Sequence, residues 1–481
     1  MAELADARDL GSRGVTPVQV QVLSPAFMTA WTPSSWMAKS AAQQPPYEDR
    51  AALDTVLAEL AALPPLVTSG EVLALKQQLA AAARGEAFVL QAGDCAESFA
   101  QCRPDAITAQ LKILLQMSLV LVHGSGRRVV RLARLAGQYA KPRSADAEVR
   151  DGVSLPAYRG DNVNRSEFSA VARRPDPELL LRGYERAALT LNFVRALVDG
   201  GFADIHHPEQ WDLSFAHASP SRAEYERIVH EIRASLDFAR TLTGADHPAL
   251  SRVDFFTSHE ALVLPYEQAL TRRVPRRDGW FNLSTHLPWI GMRTASADGA
   301  HVEYARGLSN PVAIKVGPAT DPADLVRALE SIDPHREPGR ITLIHRFGAG
   351  AIEAGLPPVL RAVHAAGWRG LWICDPMHGN TETVVPASGP GAGQPVKTRV
   401  FAKVMRELEL AFAVHASCGT HLGGVHIEVT GDDVTECTGG SRGLSDADLA
   451  RAYRSAVDPR LNAEQALELS MLLARHLRSG R

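Results

Sequence analysis

The sequence predicts an α/β fold, a closed (β/α)8 barrel with an amino-terminal extension and extra helices inserted after the second strand. Eight short apolar segments of strand length occur along the 481 residues. The later segments follow one another at intervals of roughly 30 residues, the length of one βα unit, and helix-like segments fill the intervals. Because strands that alternate with helices form a parallel sheet with right-handed crossovers, eight such units predict a closed barrel.

The composition favours a folded enzyme and argues against several other classes of protein. Apolar residues make up 45% of the chain, enough for a large core, and the formal net charge is -3. This charge provides no general attraction to nucleic acid or to an acidic membrane surface. The five cysteines are scattered without a C-x-x-C pair, as expected in a reducing compartment. Since no apolar targeting segment or membrane span is evident, we expect a cytoplasmic protein.

The eight predicted strands and the elements around them define the domain organisation. The strands are residues 88–91, 128–136, 253–257, 286–291, 312–316, 341–346, 371–374 and 424–429. We assign residues 1–86 to an amino-terminal arm and helical extension and residues 87–481 to the barrel, with an inserted helical region at about 145–252. Thr68 and Glu71 have the spacing of a capping box that begins a helix in the extension.

Polar residues at the carboxyl ends of these strands should share the barrel mouth, where active sites of such folds lie. The basic members are Arg134, Lys141, Arg143, Arg293, Lys315 and Arg346. Buried cations are costly unless anions meet them, so this set predicts one or two bound phosphates or carboxylates. The alternative is that acidic neighbours such as Asp94, Glu97 or Glu267 neutralise them.

A second set at the same mouth consists of Cys95, His378, Glu428 and Asp458. One thiol, one imidazole and two carboxylates are suitable ligands for Mn²⁺, Fe²⁺, Co²⁺ or Zn²⁺ and do not distinguish among these ions. Each residue also has an ordinary structural interpretation, since a buried cysteine is often only a small apolar residue. The pair His206 and His207 lies in the inserted region and is expected at the surface.

Five longer motifs resemble those of one enzyme family. They are GDCAESF (93–99), AGQYAKPRS (136–144), SHEALVL (258–264), CDPMHGNT (374–381) and DPRLN (458–462). Together they resemble the type II, plant-like 3-deoxy-D-arabino-heptulosonate 7-phosphate (DAHP) synthases. The resemblance implies a (β/α)8 barrel that condenses phosphoenolpyruvate, D-erythrose 4-phosphate and water to DAHP and phosphate. This reaction is the first step of the shikimate pathway to aromatic amino acids.

The resemblance also implies roles for individual residues. Cys95, His378, Glu428 and Asp458 match metal ligands, for Mn²⁺ or Co²⁺ in the first place and Fe²⁺ or Zn²⁺ as alternatives. Arg134, Arg293, Lys315 and Arg346 match the phosphoenolpyruvate site; Lys141, Arg143, Ser144 and Asp375 match the erythrose 4-phosphate site. Lys141, Arg134 and Asp375 are the expected catalytic residues, with Lys141 handling a proton near the aldehyde. The resemblance further implies a homodimer or homotetramer, chorismate mutase as a partner, and inhibition by aromatic amino acids.

The sequence departs from the family pattern at several positions. Met292 stands between Gly291 and Arg293 where an acidic residue is usual, His345 precedes Arg346 where a small polar residue is expected, and residue 457 is Val457 rather than a cysteine. These changes leave two alternatives open. One is an aminoDAHP synthase or similar paralogue of specialised metabolism, which condenses phosphoenolpyruvate with another aldose or imino sugar phosphate. The other is a regulatory barrel without catalytic activity.

Overall fold

The computed structural model describes residues 31–200, 202, 221–243, 254–389 and 391–479. Its strands are β1 Ala87–Gly93, β2 Arg128–Arg134, β3 Ala147–Arg150, β4 Val153–Pro156, β5 Phe256–Glu260, β6 Thr271–Arg272, β7 Phe281–Asn282, β8 Leu287–Ile290, β9 Val312–Val316, β10 Ile341–His345, β11 Leu371–Cys374, β12 Thr381–Val384, β13 Val396–Arg399 and β14 Leu422–Glu428. Its α-helices are α1 Arg50–Ala62, α2 Ser69–Ala83, α3 Pro104–Ser125, α4 Ala170–Arg173, α5 Glu178–Asp199, α6 Ser221–Thr243, α7 Leu264–Ala269, α8 Ala300–Arg306, α9 Pro322–Ile332, α10 Ile352–Ala365, α11 Phe401–Ser417 and α12 Ala463–Ser479. The predicted pair His206 and His207 lies outside the described residues.

Eight strands close into a barrel in the order β1-β14-β11-β10-β9-β8-β5-β2. Every neighbouring pair in this ring is parallel. Each predicted strand has a counterpart among the eight, so the predicted (β/α)8 barrel is confirmed. Because the strands are parallel, their carboxyl ends lie at one mouth and bring together residues that are far apart in the chain.

The third barrel strand lies further along the chain than predicted. We expected residues 253–257, but β5 runs from Phe256 to Glu260 and includes Ser258. Ser258 is fully buried. Its hydroxyl accepts a hydrogen bond from Gln91 Nε2 (3.0 Å) and donates one to the carbonyl of Ala133 (3.0 Å). The prediction was wrong at this boundary because Ser258 forms its hydrogen bonds inside the barrel and is not part of a loop.

Helix α2 closes the amino-terminal end of the barrel. It begins with the predicted capping box, in which the Thr68 amide donates to Glu71 Oε2 (2.7 Å) and the Glu71 amide donates to Thr68 Oγ1 (3.2 Å). Leu75 and Leu79 of this helix pack against inward-facing residues of the strands, including Val89. The barrel interior at this end is therefore mainly apolar, and the predicted site residues lie at the opposite mouth.

Helix α3 is long and apolar enough to cross a membrane by length and composition alone, but 61% of its most apolar window is buried inside the protein. It packs along α12, and a Cβ added to Gly124 would lie 2.3 Å from Cβ of Ala474. The glycine permits this close approach. The apolar composition of α3 is therefore explained by its position in the core of the protein.

Short antiparallel hairpins were absent from the prediction. Strands β3 and β4 pair within the inserted region, where we expected helices and loops. Their side chains are mostly exposed, so they lack the apolar run by which the barrel strands were recognised. Strands β12 and β13 form another hairpin at the mouth, and the Gly- and Pro-rich segment 386–395 joins them.

Candidate active site

A cavity of about 470 Å³ opens at the carboxyl ends of the strands. Seven of its lining residues are Lys or Arg and three are Asp or Glu, so it favours ligands with several negative charges. The charged lining residues are Arg134, Lys141, Arg143, Glu148, Glu260, Arg293, Lys315, Arg346, Lys397 and Asp458. All six predicted basic residues are thus brought to one cavity.

The four predicted metal ligands lie together at the floor of this mouth. Ligand atoms of Cys95, Glu428 and Asp458 are within 4.8 Å of one another, and His378 Nε2 is 3.0 Å from Glu428 Oε1. Strands β1 and β14 are neighbours, which explains why Cys95 and Glu428 meet across the sheet. A sulfur, a nitrogen and carboxylate oxygens around one point fit a divalent first-row ion.

The ammonium group of Lys141 lies among these ligands. Its Nζ contacts Cys95 Sγ and lies 2.7 Å from Asp458 Oδ2 and 3.3 Å from Glu428 Oε1. Burial alone would lower the pKa of Lys141, but the charges of Asp458, Cys95 and Glu428 outweigh burial and raise it. Burial raises the pKa of the Cys95 thiol to about 12, with a further contribution from Glu428. The cluster of Cys95, Glu428 and Asp458 therefore attracts a cation strongly. In the structure this cation is the ammonium group of Lys141.

Asp375 fixes the side chains of His378 and Lys315 through a hydrogen bond and an ion pair. Its Oδ2 accepts a hydrogen bond from His378 Nδ1 (2.7 Å) and pairs with Lys315 Nζ, while its Oδ1 accepts the backbone amides of Met377 (3.0 Å) and His378 (3.2 Å). Asp375 is fully buried and is not among the residues that line the cavity. Its carboxylate directs Nε2 of His378 toward Glu428.

Arg134 connects the metal ligands to the cavity. Its guanidinium donates to the carbonyls of Asp94 (2.8 Å) and Cys95 (3.0 Å), pairs with Glu428 (2.9 Å), and lies 5.2 Å above the ring of Trp289. These contacts fix the orientation of a buried cation next to the proposed ligands.

The remaining predicted anion-binding residues differ in their exposure. Lys315 is buried and its pKa is lowered to about 8, mainly by burial and against the charge of Asp375. Arg293 is exposed and donates to Ser144 Oγ (2.8 Å), while Arg346 donates to the carbonyl of His378 (2.8 Å). Their contacts join the two predicted substrate subsites.

The acidic residues considered as neutralising partners are engaged elsewhere. Asp94 pairs with Arg460 (2.7 Å), and Glu267 lies 2.8 Å from His259. The carboxylate of Glu97 accepts backbone amides of the loop that follows β2. The three acidic residues named in that alternative were wrong, but pairing with other carboxylates is found for four of the six basic residues. Arg134 and Lys141 pair with Glu428, Arg143 pairs with Glu148 (3.2 Å), and Lys315 pairs with Asp375.

Three residues at the mouth were not recognised from the sequence. Arg399 is fully buried and pairs with Glu428 Oε2 (2.8 Å), His426 contacts Arg134, and Glu260 lines the cavity. Burial raises the pKa of Glu260, and nearby Lys and Arg residues reduce this effect. His426 lies two positions before Glu428, so the two-residue period of β14 was a signal that places both side chains inside the barrel.

Two of the three departures from the family pattern line this cavity, and all six predicted basic residues remain in it. Met292 and Val457 are among the lining residues. A Cβ added to Gly317 would lie 2.7 Å from Met292 Sδ, so the thioether packs against the turn after β9. His345 is fully buried on the outer face of β10 and does not line the cavity.

A family model and two relatives of more than 40% sequence identity agree on one family. A model of the class-II DAHP synthetase family matches residues 31–474. The chain is 48% identical over 441 residues to a phospho-2-dehydro-3-deoxyheptonate aldolase of Streptomyces coelicolor, covering 92% of this chain and 96% of that protein. It is 43% identical over 467 residues to a protein of the same name from Neurospora crassa, covering 94% and 95%. A solved truncated DAHP synthase from Thermotoga maritima is 12% identical and covers 82% and 88%, with a TM-score of 0.31.

Proposed function

Because the chain belongs to the class-II DAHP synthetase family, we propose that the cavity at the barrel mouth is where it condenses phosphoenolpyruvate with D-erythrose 4-phosphate. The family match and the names of the relatives confirm the resemblance found in the motifs and establish a DAHP synthase reaction. In this reaction C3 of phosphoenolpyruvate bonds to the aldehyde carbon of the tetrose. Water adds at C2, the bond from C2 to the phosphate oxygen breaks, and DAHP and inorganic phosphate leave.

The single observation that supports this placement is the concentration of cationic side chains around one cavity that also contains a metal-ligand set. The two substrates are both phosphate esters that repel each other in water. Holding them together requires positive charge that is already in position before they bind, and a preorganised site supplies this stabilisation without further rearrangement.

We assign the phosphoenolpyruvate end to the part of the cavity bounded by Arg134, Arg293, Lys315 and Arg346. Arg134 is held by its contacts with backbone carbonyls and Glu428, so it presents a fixed guanidinium to the substrate. The erythrose 4-phosphate end lies toward Arg143 and Ser144 in the loop after β2. The hydrogen bond from Arg293 to Ser144 keeps the two ends adjacent.

We propose that Cys95, His378, Glu428 and Asp458 hold a divalent ion, Mn²⁺ or Co²⁺ in the first place and Fe²⁺ or Zn²⁺ as alternatives. When bound, such an ion supplies Lewis-acid polarisation of the aldehyde oxygen. The thiol and carboxylates that surround Lys141 Nζ already form a cation site, which supports this assignment. Lys141 also lines the cavity, and with an ion held by these four residues its ammonium group would donate a proton close to the reacting aldehyde.

Asp375 acts as a positioning residue in this proposal. Its carboxylate accepts a hydrogen bond from Nδ1 of His378, so the neutral ring carries its proton on Nδ1. The lone pair of Nε2 is then available to the ion. The ion pair with Lys315 also keeps a partly desolvated ammonium at the phosphoenolpyruvate end.

Product analysis tests the substrate assignment. Purified protein receives phosphoenolpyruvate with erythrose 4-phosphate, or with an imino sugar phosphate or another aldose phosphate at the same concentration. We expect DAHP as the main product, with the largest kcat/KM for erythrose 4-phosphate. A larger kcat/KM for an imino acceptor would favour the paralogue of specialised metabolism and would make Met292 a specificity residue. The oligomeric state, the cytoplasmic location and a chorismate mutase partner remain predictions.

A further inference from the structure

A second cluster of potential metal ligands lies outside the barrel interior, between β10, β11 and α11. His345 ends β10, Cys374 ends β11, and Glu407 lies on α11. Their ligand atoms are within 4.8 Å of one another, and all three side chains are fully buried. Neighbouring residues of a strand point to opposite faces, so His345 and Cys374 face away from the cavity that Arg346 lines.

The hydrogen bonds of two histidines determine which ring nitrogen is free. The hydroxyl of Thr420 donates to the carbonyl of His415 (3.3 Å), so its oxygen is the acceptor for the proton on His415 Nδ1 (2.8 Å). Nε2 of His415 is then unprotonated and accepts from Nε2 of His345, 3.3 Å away. The neutral ring of His345 therefore carries its lone pair on Nδ1.

Nδ1 of His345 is buried and has no hydrogen-bond partner among the residues that the structure describes. A buried acceptor without a partner is costly, and native proteins rarely leave one. Ligating histidines commonly donate their other ring proton to an acceptor, which is the arrangement that His415 provides for His345.

A bound cation would lower the cost of ionising the buried acidic groups of the cluster. Glu407 accepts the backbone amides of Phe347 and Gly348 (both 2.9 Å) and the side-chain amide of Asn380 (2.6 Å), but it forms no ion pair within the described part of the chain. Burial raises the pKa of this carboxyl to about 7 and raises the pKa of the Cys374 thiol. One divalent ion would compensate the charges of both the carboxylate and the thiolate.

We propose that Nδ1 of His345, the thiolate of Cys374 and the carboxylate of Glu407 form a second metal site that takes Zn²⁺ or a similar thiolate-binding ion. Glu407 Oε1 already accepts two backbone amides, so Oε2 is the ligand atom and water fills the fourth position. The ion joins the carboxyl ends of β10 and β11 to α11, behind the segment that carries Arg346 and Asp375. Its role is structural, and it does not depend on the reaction assigned to the cavity.

Cobalt absorption tests this site in the full-length chain with the Cys95→Ser substitution, which removes the thiol from the barrel-mouth ligands. The protein is produced in medium supplemented with Co²⁺, so that a buried ion is incorporated during folding. We expect a near-ultraviolet thiolate-to-cobalt charge-transfer band, because Cys374 is then the only thiol in either proposed ligand set. The band should vanish when Cys374→Ala or His345→Leu is added, and it should persist with the control Cys418→Ala.

Two results would overturn the proposal. One is the absence of a charge-transfer band in the Cys95→Ser protein, and the other is a band that survives both added substitutions. X-ray absorption at the cobalt edge of the Cys95→Ser protein requires no change in the buried cluster, so it remains decisive if the double variants fail to fold. One sulfur ligand accompanied by nitrogen and oxygen supports the site, and the absence of sulfur contradicts it.

Discussion

Replacing Asp375 with asparagine should weaken metal binding without removing a ligand. In the amide, Oδ1 can keep both backbone amides of Met377 and His378, but the amino group then faces His378 Nδ1 and Lys315 Nζ. Two donors cannot share a hydrogen bond, so His378 must accept at Nδ1 and carry its proton on Nε2. That proton occupies the nitrogen that we assign to the ion.

The magnitude follows from the loss of one supporting hydrogen bond to a ligating histidine. Such losses typically cost 10–100-fold in metal affinity, or about 1.4–2.8 kcal/mol. Lys315 also loses the partner that opposes the effect of burial on its pKa, so the pKa should fall further below about 8. At pH 8 the KM for phosphoenolpyruvate should therefore rise as well.

Mn²⁺ affinity measured by competition with a chelating dye tests this prediction. The control is Asp298→Asn, the same chemical change at an exposed residue that pairs with Arg327. We expect weaker binding by Asp375→Asn and wild-type binding by the control. Equal affinities in a folded Asp375→Asn protein would refute the assigned role of the carboxylate in setting the histidine tautomer.

Three further predictions concern substrate binding, backbone conformation and pH. Arg346→Ala should raise the KM for phosphoenolpyruvate more than it lowers kcat, because it removes a cation from the cavity. Gly137→Ala should destabilise the fold by about 1–3 kcal/mol in urea unfolding, because its φ is +152° and the added Cβ would lie 2.4 Å from His259 Nδ1. Burial lowers the pKa of His301 from 6.5 to about 4, so the unfolded chain binds the extra proton between these values. The contribution of His301 to the free energy of unfolding is therefore complete above pH 6.5 and falls by about 3 kcal/mol toward pH 4, a loss that His301→Gln should remove from the acid response.

Each of these predictions has a control or a contradicting outcome. Arg361→Ala changes an exposed arginine and should leave the KM unchanged. Gly152 also has a positive φ, +76°, but an added Cβ meets nothing within 4 Å. An equal loss in Gly152→Ala would show that contact with His259 does not determine the cost at Gly137. An identical acid response of the wild type and His301→Gln would rule out His301 as a source of acid sensitivity.

The barrel could be predicted because its strands carry a strong local signal. Segments such as 312–316 and 341–345 are short apolar runs, and their spacing gives one βα unit each. The boundary of β5 could not be predicted, since Ser258 is satisfied only by Gln91 and Ala133, residues far away in the sequence. The exposed hairpin of β3 and β4 also lacks a periodic apolar face.

The motifs identified the proposed metal ligands and the basic residues of the cavity, but not how these residues are arranged. Lys141 lines the cavity and also lies among the proposed metal ligands, a double contact that the motif did not predict. Asp375, assigned by the resemblance to the erythrose 4-phosphate site, contacts His378 and is not among the residues that line the cavity. Arg399 reaches Glu428 from the hairpin of β12 and β13, whose residues Thr381 and Lys397 line the cavity. Such contacts depend on the closure of the whole barrel and leave no local pattern in the sequence.

Phosphate release by chelator-stripped protein tests the central claim most directly. The protein receives phosphoenolpyruvate and erythrose 4-phosphate, together and separately, before and after addition of Mn²⁺ or Co²⁺. We predict release only when both substrates and the metal are present, and much weaker restoration in Cys95→Ser. Full release without added metal, from protein shown to contain none, would contradict the assignment of Cys95, His378, Glu428 and Asp458 as the ligands of an essential ion.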